Sequence, residues 1–376
     1  MERPVADRQL IYAAGDYDYW VATREDEPAV RGLLAKFATG GTVQLSLRRD
    51  PDAFAADFGS RAHDYILARN RRSGELVGLC ERVVRDTFMN GELRALPYLA
   101  GLRVVPNFRH RLLVLRGGFE ALRRLIGANS PHTYALTSIM SDNVTAKRML
   151  GANLRGMPRY EPAGEFATFA LPPGGALRAE HATAADFPEI AELLLENAAR
   201  TQFAAAWTLD TLQAYAAAGW LRPEDYFVIR RDGRIRACAA VWDQSAHRQI
   251  IVAGYSRWLA RTRHVANAGA KLLGIPRLPA PGEPLRCAYL SHVGLSGQDD
   301  AADLGALLDS ARHEIGRRGL DSLLAGWSAN DALCNGLRQR ARRREYRSQL
   351  YLVRWPETPA PTLDATRRVA PELALL

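Results

Sequence analysis

The chain has 376 residues, 47% of them apolar, a formal net charge of +9 and a mean hydropathy of −0.21. That length suits two domains of ordinary size, each with a real core. No apolar run reaches the ~18 residues of a spanning helix, and the charged N-terminus lacks the apolar core of a secretory signal, so neither is expected.

The basic excess is almost all arginine: Lys36, Lys147 and Lys271 are the only lysines, leaving 47 arginines among the 50 basic residues. With abundant alanine, this reads as a compositional bias, and general nucleic-acid association is not expected. A basic chain still favours anionic ligands. The densest run, Arg338 to Arg347, reads as a solvated helix face. The four cysteines (Cys80, Cys238, Cys287, Cys334) form no CxxC pair, and the eight histidines form no metal spacing. No metal site is expected, and a reducing cytoplasm is.

In chain order, YWVATREDEPAVRGLLAKF gives a strand at Tyr19 to Ala22, a cap at Thr23, and a helix with Val30, Leu33 and Leu34 inward. DYILARNRRSGELVGLCERVVRD reads as strand, Ser-Gly turn, strand. A long strand from Tyr98 to Val105 leads into an arginine-rich turn and a helix from Leu112 to Ile126. Strand Tyr134 to Ile139 and an Asn-led helix, Val144 to Leu150, follow.

Pro172 to Arg178, PPGGALR, suits a linker. After it the series repeats. A short strand is expected near Leu177 to Arg178, Thr183 can cap a helix bearing Ala184, Phe187, Ile190, Leu193 and Leu194, and Asp232-Gly233 marks a hairpin. Strand Arg286 to Leu295, helix Ala301 to Arg317, strand Ser322 to Trp327 and helix Ala332 to Arg340 complete the copy. An insertion between Ser256 and Pro284 predicts a helix and a loop. The expected architecture is α/β, a mixed twisted sheet with helices on both faces, built from β-α-α-β-β-β-α-β-α-β twice. The boundaries are 1–172 and 173–355, with a Pro-rich tail, 356–376, as a loose arm.

A strand that delivers the chain into arginines and a helix N-terminus makes an anion pocket, because the first backbone N–H groups of a helix have no partner within it. A pyrophosphate is its natural occupant. Two segments carry a closer likeness: Leu102 to Arg109, LRVVPNFR, and Asn143 to Met149, NVTAKRM. With the element order, they make the chain resemble the GNAT (GCN5-related) N-acetyltransferases, tandemly duplicated.

The resemblance implies acetyl-CoA as acyl donor. The backbone of Leu102, Arg103 and Val104 would pair with the pantetheine arm. Arg109, His110, Arg111, Leu112, Leu113 and Val114 would wrap the pyrophosphate. Leu112 and Val114 stand where the family places glycine and glycine or alanine, and Gly117 and Gly118 come too late in the register. Asn143 would cap its helix or touch the pantetheine. Lys147 and Arg148 would approach the 3′-phosphate or form a solvated face. Leu150 replaces the family's tyrosine acid, and Tyr160, placed in a loop after the helix, is the substitute. Glu81 is the candidate base, with Glu92 behind it.

The second copy puts Gly297, Gln298, Asp299 and Asp300 at the equivalent turn, where carboxylates repel a pyrophosphate. It is expected not to bind CoA. The expected function is transfer of an acetyl or other short acyl group from CoA to an amine by direct attack. A non-catalytic scaffold of two such domains is the alternative, and arginine-driven nucleic-acid association a third. The amine, small-molecule or peptide, and the oligomeric state, a homo-oligomer included, stay open.

Overall fold

The computed structural model describes residues 10–38, 42–109, 112–127, 134–273, 277–341 and 345–376. In the first half, strands β1 (Leu10–Ala14) and β2 (Tyr17–Val21) precede helix α1 (Glu27–Lys36) and β3 (Val43–Arg48). Strands β4 (Ala62–Asn70), β5 (Leu76–Met89) and β6 (Glu92–Val104) lead to α2 (Leu112–Ile126), β7 (Tyr134–Met140), α3 (Val144–Leu150) and β8 (Arg159–Leu171). The second half opens with β9 (Glu180–His181), α4 (Phe187–Ala199) and α5 (Leu209–Ala217). It continues through β10 (Tyr226–Arg231), β11 (Arg234–Trp242), β12 (Gln249–Tyr255), α6 (Arg257–Leu273) and β13 (Cys287–Leu295). Helix α7 (Asp300–Arg317), β14 (Ser322–Ser328), α8 (Cys334–Ala341) and β15 (Glu345–Arg354) complete it.

The two halves begin with the same cap. The Asp26 carboxylate accepts the Thr23 backbone N–H at 3.0 Å, and Asp186 accepts that of Thr183 at 2.8 Å. Each closes a capping box over a short 3-10 turn, and a proline follows in the first turn of α1 and α4. Proline is favoured there because that N–H has no helical acceptor. Val30, Leu33 and Leu34 are buried on α1, and Ile190, Leu193 and Leu194 on α4. One correction concerns the element order. The first half has β3 where a second helix was expected, because Val43 to Arg48 lie in extended register against β12.

Thirteen strands form one sheet in the order β1-β2-β4-β5-β6-β7-β15-β8-β14-β13-β11-β10-β9. Strand β15 lies between β7 and β8, with Leu352 opposite Leu136 on one side and Glu161 on the other. Strand β8 in turn pairs with β14, Leu171 opposite Leu323. Each half thus seats its last strand beside the other half's parallel pair. A separate ribbon, β3 against β12, also joins the halves.

Each half has its own hydrophobic core. One packs Tyr19, Trp20, Leu34, Leu67, Leu115 and Phe119; another packs Phe169, Phe227, Leu307, Leu308 and Leu323. Gly117 of α2 is needed for the first: a Cβ there would stand 2.3 Å from the Tyr19 hydroxyl, which donates to the Val114 carbonyl at 3.0 Å. The segment after Trp355 is packed, contrary to the expected loose arm. Ala374 and Val369 are buried, and Gln202 exchanges backbone hydrogen bonds with Arg368 and Ala370 at 2.9 and 2.8 Å. No helix among the described residues is long and apolar enough to cross a membrane.

Candidate active site

Strands β6 and β7 run parallel but share one register pair, Tyr98 opposite Leu136. Past it they part. The Thr137 hydroxyl donates to the Leu99 carbonyl at 2.7 Å, and the Tyr98 and Ser138 hydroxyls sit 2.7 Å apart, both at the base of the opening. Beyond them β6 continues to Val104 on the β5 side, while β7 keeps its pairing with β15 as far as Met140 opposite Ser348. The result is a fork whose β6 prong turns main-chain groups toward the gap.

That prong carries a bulge. Leu79 pairs with Arg103 and Glu81 with Ala100, so two steps along β5 face three along β6. Gly101 takes up the extra residue with φ of 62°, a left-handed conformation that glycine adopts at little cost. The bulge takes backbone groups at Gly101 and Leu102 out of the ladder with β5. A Cβ on Gly101 would lie 3.5 Å from Glu81 Oε2, which places the Glu81 carboxylate beside the fork.

Glu81 is buried in a polar cluster. Arg49 Nη2 donates to Oε1 and Oε2 at 3.3 and 3.2 Å, His63 Nε2 lies 2.8 Å from Oε1, and the Tyr65 hydroxyl lies 3.3 Å from the same oxygen. Burial alone would raise the Glu81 carboxyl, but Arg49 and His63 together hold it far below the usual carboxylate range. Tyr65 moves the other way, raised by burial and by Glu81. A second arginine, Arg248, stands close to this cluster. Burial and Arg49 pull its guanidinium down to about 10. It donates to the Ala374 and Leu376 carbonyls, each at 2.9 Å, so the end of the packed tail reaches the same region.

The other sequence candidates divide. Leu102 and Val104 lie on the β6 prong, and Arg103 between them donates to the Leu102 carbonyl at 3.1 Å. Arg109 ends a 3-10 turn, Pro106 to Phe108; its Nε donates to the Val104 carbonyl at 3.2 Å and its guanidinium lies over Phe37. His110 and Arg111 lie outside the described residues. Leu112 and Leu113 open α2 with their side chains partly exposed, whereas Val114 faces inward and is buried. Asn143 caps α3, its Oδ1 accepting the Ala146 N–H at 3.1 Å. Lys147 donates to the Ser141 carbonyl, and Leu150 is buried. Glu92 is on the exposed β5–β6 hairpin, paired with Arg94, away from the fork.

Tyr160 requires a correction. It is on strand β8, opposite Val353, and not in a loop. Its ring packs edge-on against Phe119 and Tyr351, and burial raises its phenol above the ordinary value, so it stays protonated. Extended pairing with β15 explains the position, a partner that local sequence around Tyr160 does not reveal.

Arg49, His63, Tyr65 and Arg248 were not anticipated. His63 and Tyr65 are two apart on β4 with Tyr65 opposite Glu81, so the two-residue strand period was the signal that puts both on the Glu81 face. Arg49 and Arg248 follow from the β3–β12 ribbon, where Gln249 faces Arg48 across the halves. No local pattern announces that pairing. A small apolar pocket lies between α2 and the sheet, lined by Gly78, Cys80, Leu102, Val104, Gly118 and others.

Among solved structures, the chain resembles an N-myristoyltransferase of Saccharomyces cerevisiae with bound myristoyl-CoA, at a TM-score of 0.59 and 11% identity over 98% of this chain and 92% of that one. It also resembles a GCN5-related N-acetyltransferase from Sphaerobacter thermophilus, at a TM-score of 0.54 and 14% identity over 95% of this chain and 100% of that one. The fold is that of the GNAT acyltransferases. The likeness runs through both halves of the chain. No protein-family model and no curated protein matches the sequence.

Proposed function

We propose that the chain is an N-acyltransferase that moves an acyl group from CoA to an amine by direct attack, using the β6–β7 fork of its first half. The observation that carries this is the pairing of fork and bulge, with unladdered backbone groups at Gly101 and Leu102 and one carboxylate, Glu81, at their edge. The pantetheine amides would pair along Leu102 to Val104. The pyrophosphate would lie at the turn before α2, against Arg109, backbone N–H groups and the residues 110–111.

In this reading a bulge N–H holds the thioester oxygen as charge develops on it. The amine nitrogen attacks the thioester carbon, the C–S bond breaks, and CoA leaves as a thiolate. Tyr160, protonated at neutral pH, is the proposed donor to that sulfur. Glu81 attracts the incoming amine and is the proposed acceptor of its proton. Because Arg49 and His63 stabilise the Glu81 carboxylate so strongly, it is a weak base. The amine must therefore arrive neutral, and the rate should rise with pH along the ionisation of the acceptor itself.

Acetyl or another short acyl group is the proposed donor load. Calorimetry of acetyl-CoA against the purified chain tests the binding step, and absence of saturable binding defeats the enzyme reading. Thiol release with a panel of amines, run with acyl-CoA chains from acetyl to myristoyl, tests the chemistry and reads the preferred length. The scaffold reading has one observation in its favour, the buried Leu150 at the position of the family's acid. It predicts binding without thiol release.

A further inference from the structure

The second half repeats the fork. Strands β13 and β14 run in parallel register from Cys287 opposite Ser322 to Leu290 opposite Ala325, and pair no further. The slip between β11 and β13, with Cys238 opposite Gly294 and Ala240 opposite Ser291, matches the slip between β5 and β6. His292 therefore stands where Gly101 stands. Both have positive φ, 50° and 62°.

Here the position is already taken. The His292 backbone N–H donates to Glu372 Oε2 at 3.1 Å, from the segment that follows β15. The next residue, Leu373, abuts the opposite prong: a Cβ on Gly326 of β14 would come 2.9 Å from Leu373 Cβ. Val369 fills a second notch, 2.7 Å from where a Gly164 Cβ would be. Arg368 donates to Asp331 at 3.0 Å and covers the Trp327 ring. The four contacts combine one carboxyl group, one cation and two apolar side chains beside two glycines.

Glu372 is an unusual side chain to bury there. Two backbone N–H groups, of His292 and Ala374, are its donors, and among the described residues no cation contributes to its surroundings. Burial pushes its carboxyl up to about 7. The titratable groups that face it are the His292 imidazole, which burial keeps neutral, and the phenols of Tyr215 and Tyr226. A leucine would fill this space more cheaply, so the carboxylate is explained by the bulge N–H that it satisfies.

We propose that the second fork is a peptide-binding site whose ligand is the chain's own segment 368–376, recognised through Glu372 on the His292 N–H, Leu373 on Gly326, Val369 on Gly164 and Arg368 on Asp331. Duplication supplied the cleft, and an extended peptide with a carboxylate between apolar residues occupies it. The proposal does not depend on whether the first fork binds CoA.

The test uses the chain shortened to residue 367 and a labelled synthetic peptide of residues 366–376. Fluorescence anisotropy should show saturable one-to-one binding, weakened at least tenfold by Glu372→Ala in the peptide and also by Arg368→Ala. A folded shortened chain that does not bind, or that binds the Glu372→Ala peptide equally well, overturns the proposal. Should the shortened chain fail to fold, hydrogen exchange on the full chain decides. Glu372→Ala should speed exchange in 366–376 and at the His292 amide; unchanged exchange there overturns it.

Discussion

Glu81 and Ala240 occupy the same register position on β5 and β11, and only the first carries a carboxylate. Each is the residue beyond which the neighbouring strand gains its extra step. Around Glu81 stand Arg49, His63 and Tyr65; around Ala240 stand Trp207, Tyr226 and Trp242. The duplicated backbone is common to both forks. The side chain at this one position gives the first fork a buried carboxylate that the second lacks.

Removing the Glu81 carboxylate should cost stability as well as activity. Glu81→Ala leaves Arg49 buried without its partner, a change that typically destabilises by about 3–5 kcal/mol. Glu81→Gln should cost less, because it keeps an acceptor oxygen. The folded carboxyl is depressed relative to its ordinary value of 4.5, so its contribution is present above that pH and fades as pH falls through it. Urea unfolding of wild type and Glu81→Gln at pH 7 should differ, and the gap should narrow toward pH 3 (about 1.5 units below the ordinary value). A pH-independent gap contradicts the ion-pair assignment.

Gly117→Ala tests how α2 is seated. The new methyl would overlap the Tyr19 ring and hydroxyl, and overpacking of this kind costs about 1–3 kcal/mol. Tyr19→Ala opens the space but loses core packing on its own. The double variant should be more stable than the sum of the two losses, measured as a positive coupling in a double-mutant cycle. Simple additivity would mean that the helix seats itself without that contact.

Much of this was legible in the sequence, for identifiable reasons. The caps at Thr23 and Thr183, with apolar residues at helical spacing behind them, announced both helix starts and the repeat. The Ser-Gly turn marked the pair β4 and β5, and Asp232-Gly233 the hairpin of β10 and β11. What stayed hidden depends on pairing between distant segments. The exchange of β8 and β15, the β3–β12 ribbon that brings Arg49 near Arg248, and the seat of Glu372 on His292 all join residues far apart in the chain. Tyr160 was misplaced for the same reason: its strand is defined by β15. The role of Gly117 was hidden too, because the side chain it makes room for belongs to β2.

Arg109 should matter for the phosphate end of the cofactor and not for its thiol end. One of its nitrogens is engaged by the Val104 carbonyl, which fixes the side chain at the mouth of the turn before α2. Arg109→Ala is expected to weaken CoA binding about tenfold, or about 1.4 kcal/mol, while leaving any affinity for pantetheine unchanged. Calorimetry with the two ligands reads the difference. Equal losses for both would place Arg109 in the fold and not at the pyrophosphate.

The Glu372 contact should respond to pH with a definite sign. Its folded carboxyl is raised to about 7 from an ordinary 4.5, so the docked segment is favoured most below the ordinary value. The advantage is lost as pH rises through the folded value, because the ionised carboxylate must then be held without a cation. Between pH 6 and 8, on the order of 1 kcal/mol of docking free energy should disappear. Hydrogen exchange of residues 366–376, corrected for the intrinsic pH dependence of the amide, should therefore accelerate across this range in wild type. Glu372→Gln keeps an oxygen for the His292 N–H and cannot ionise, so its corrected exchange should stay flat. A rise of the same size in both proteins would assign the pH response to another group, of which Tyr215 and Tyr226 are poor candidates because burial raises both phenols.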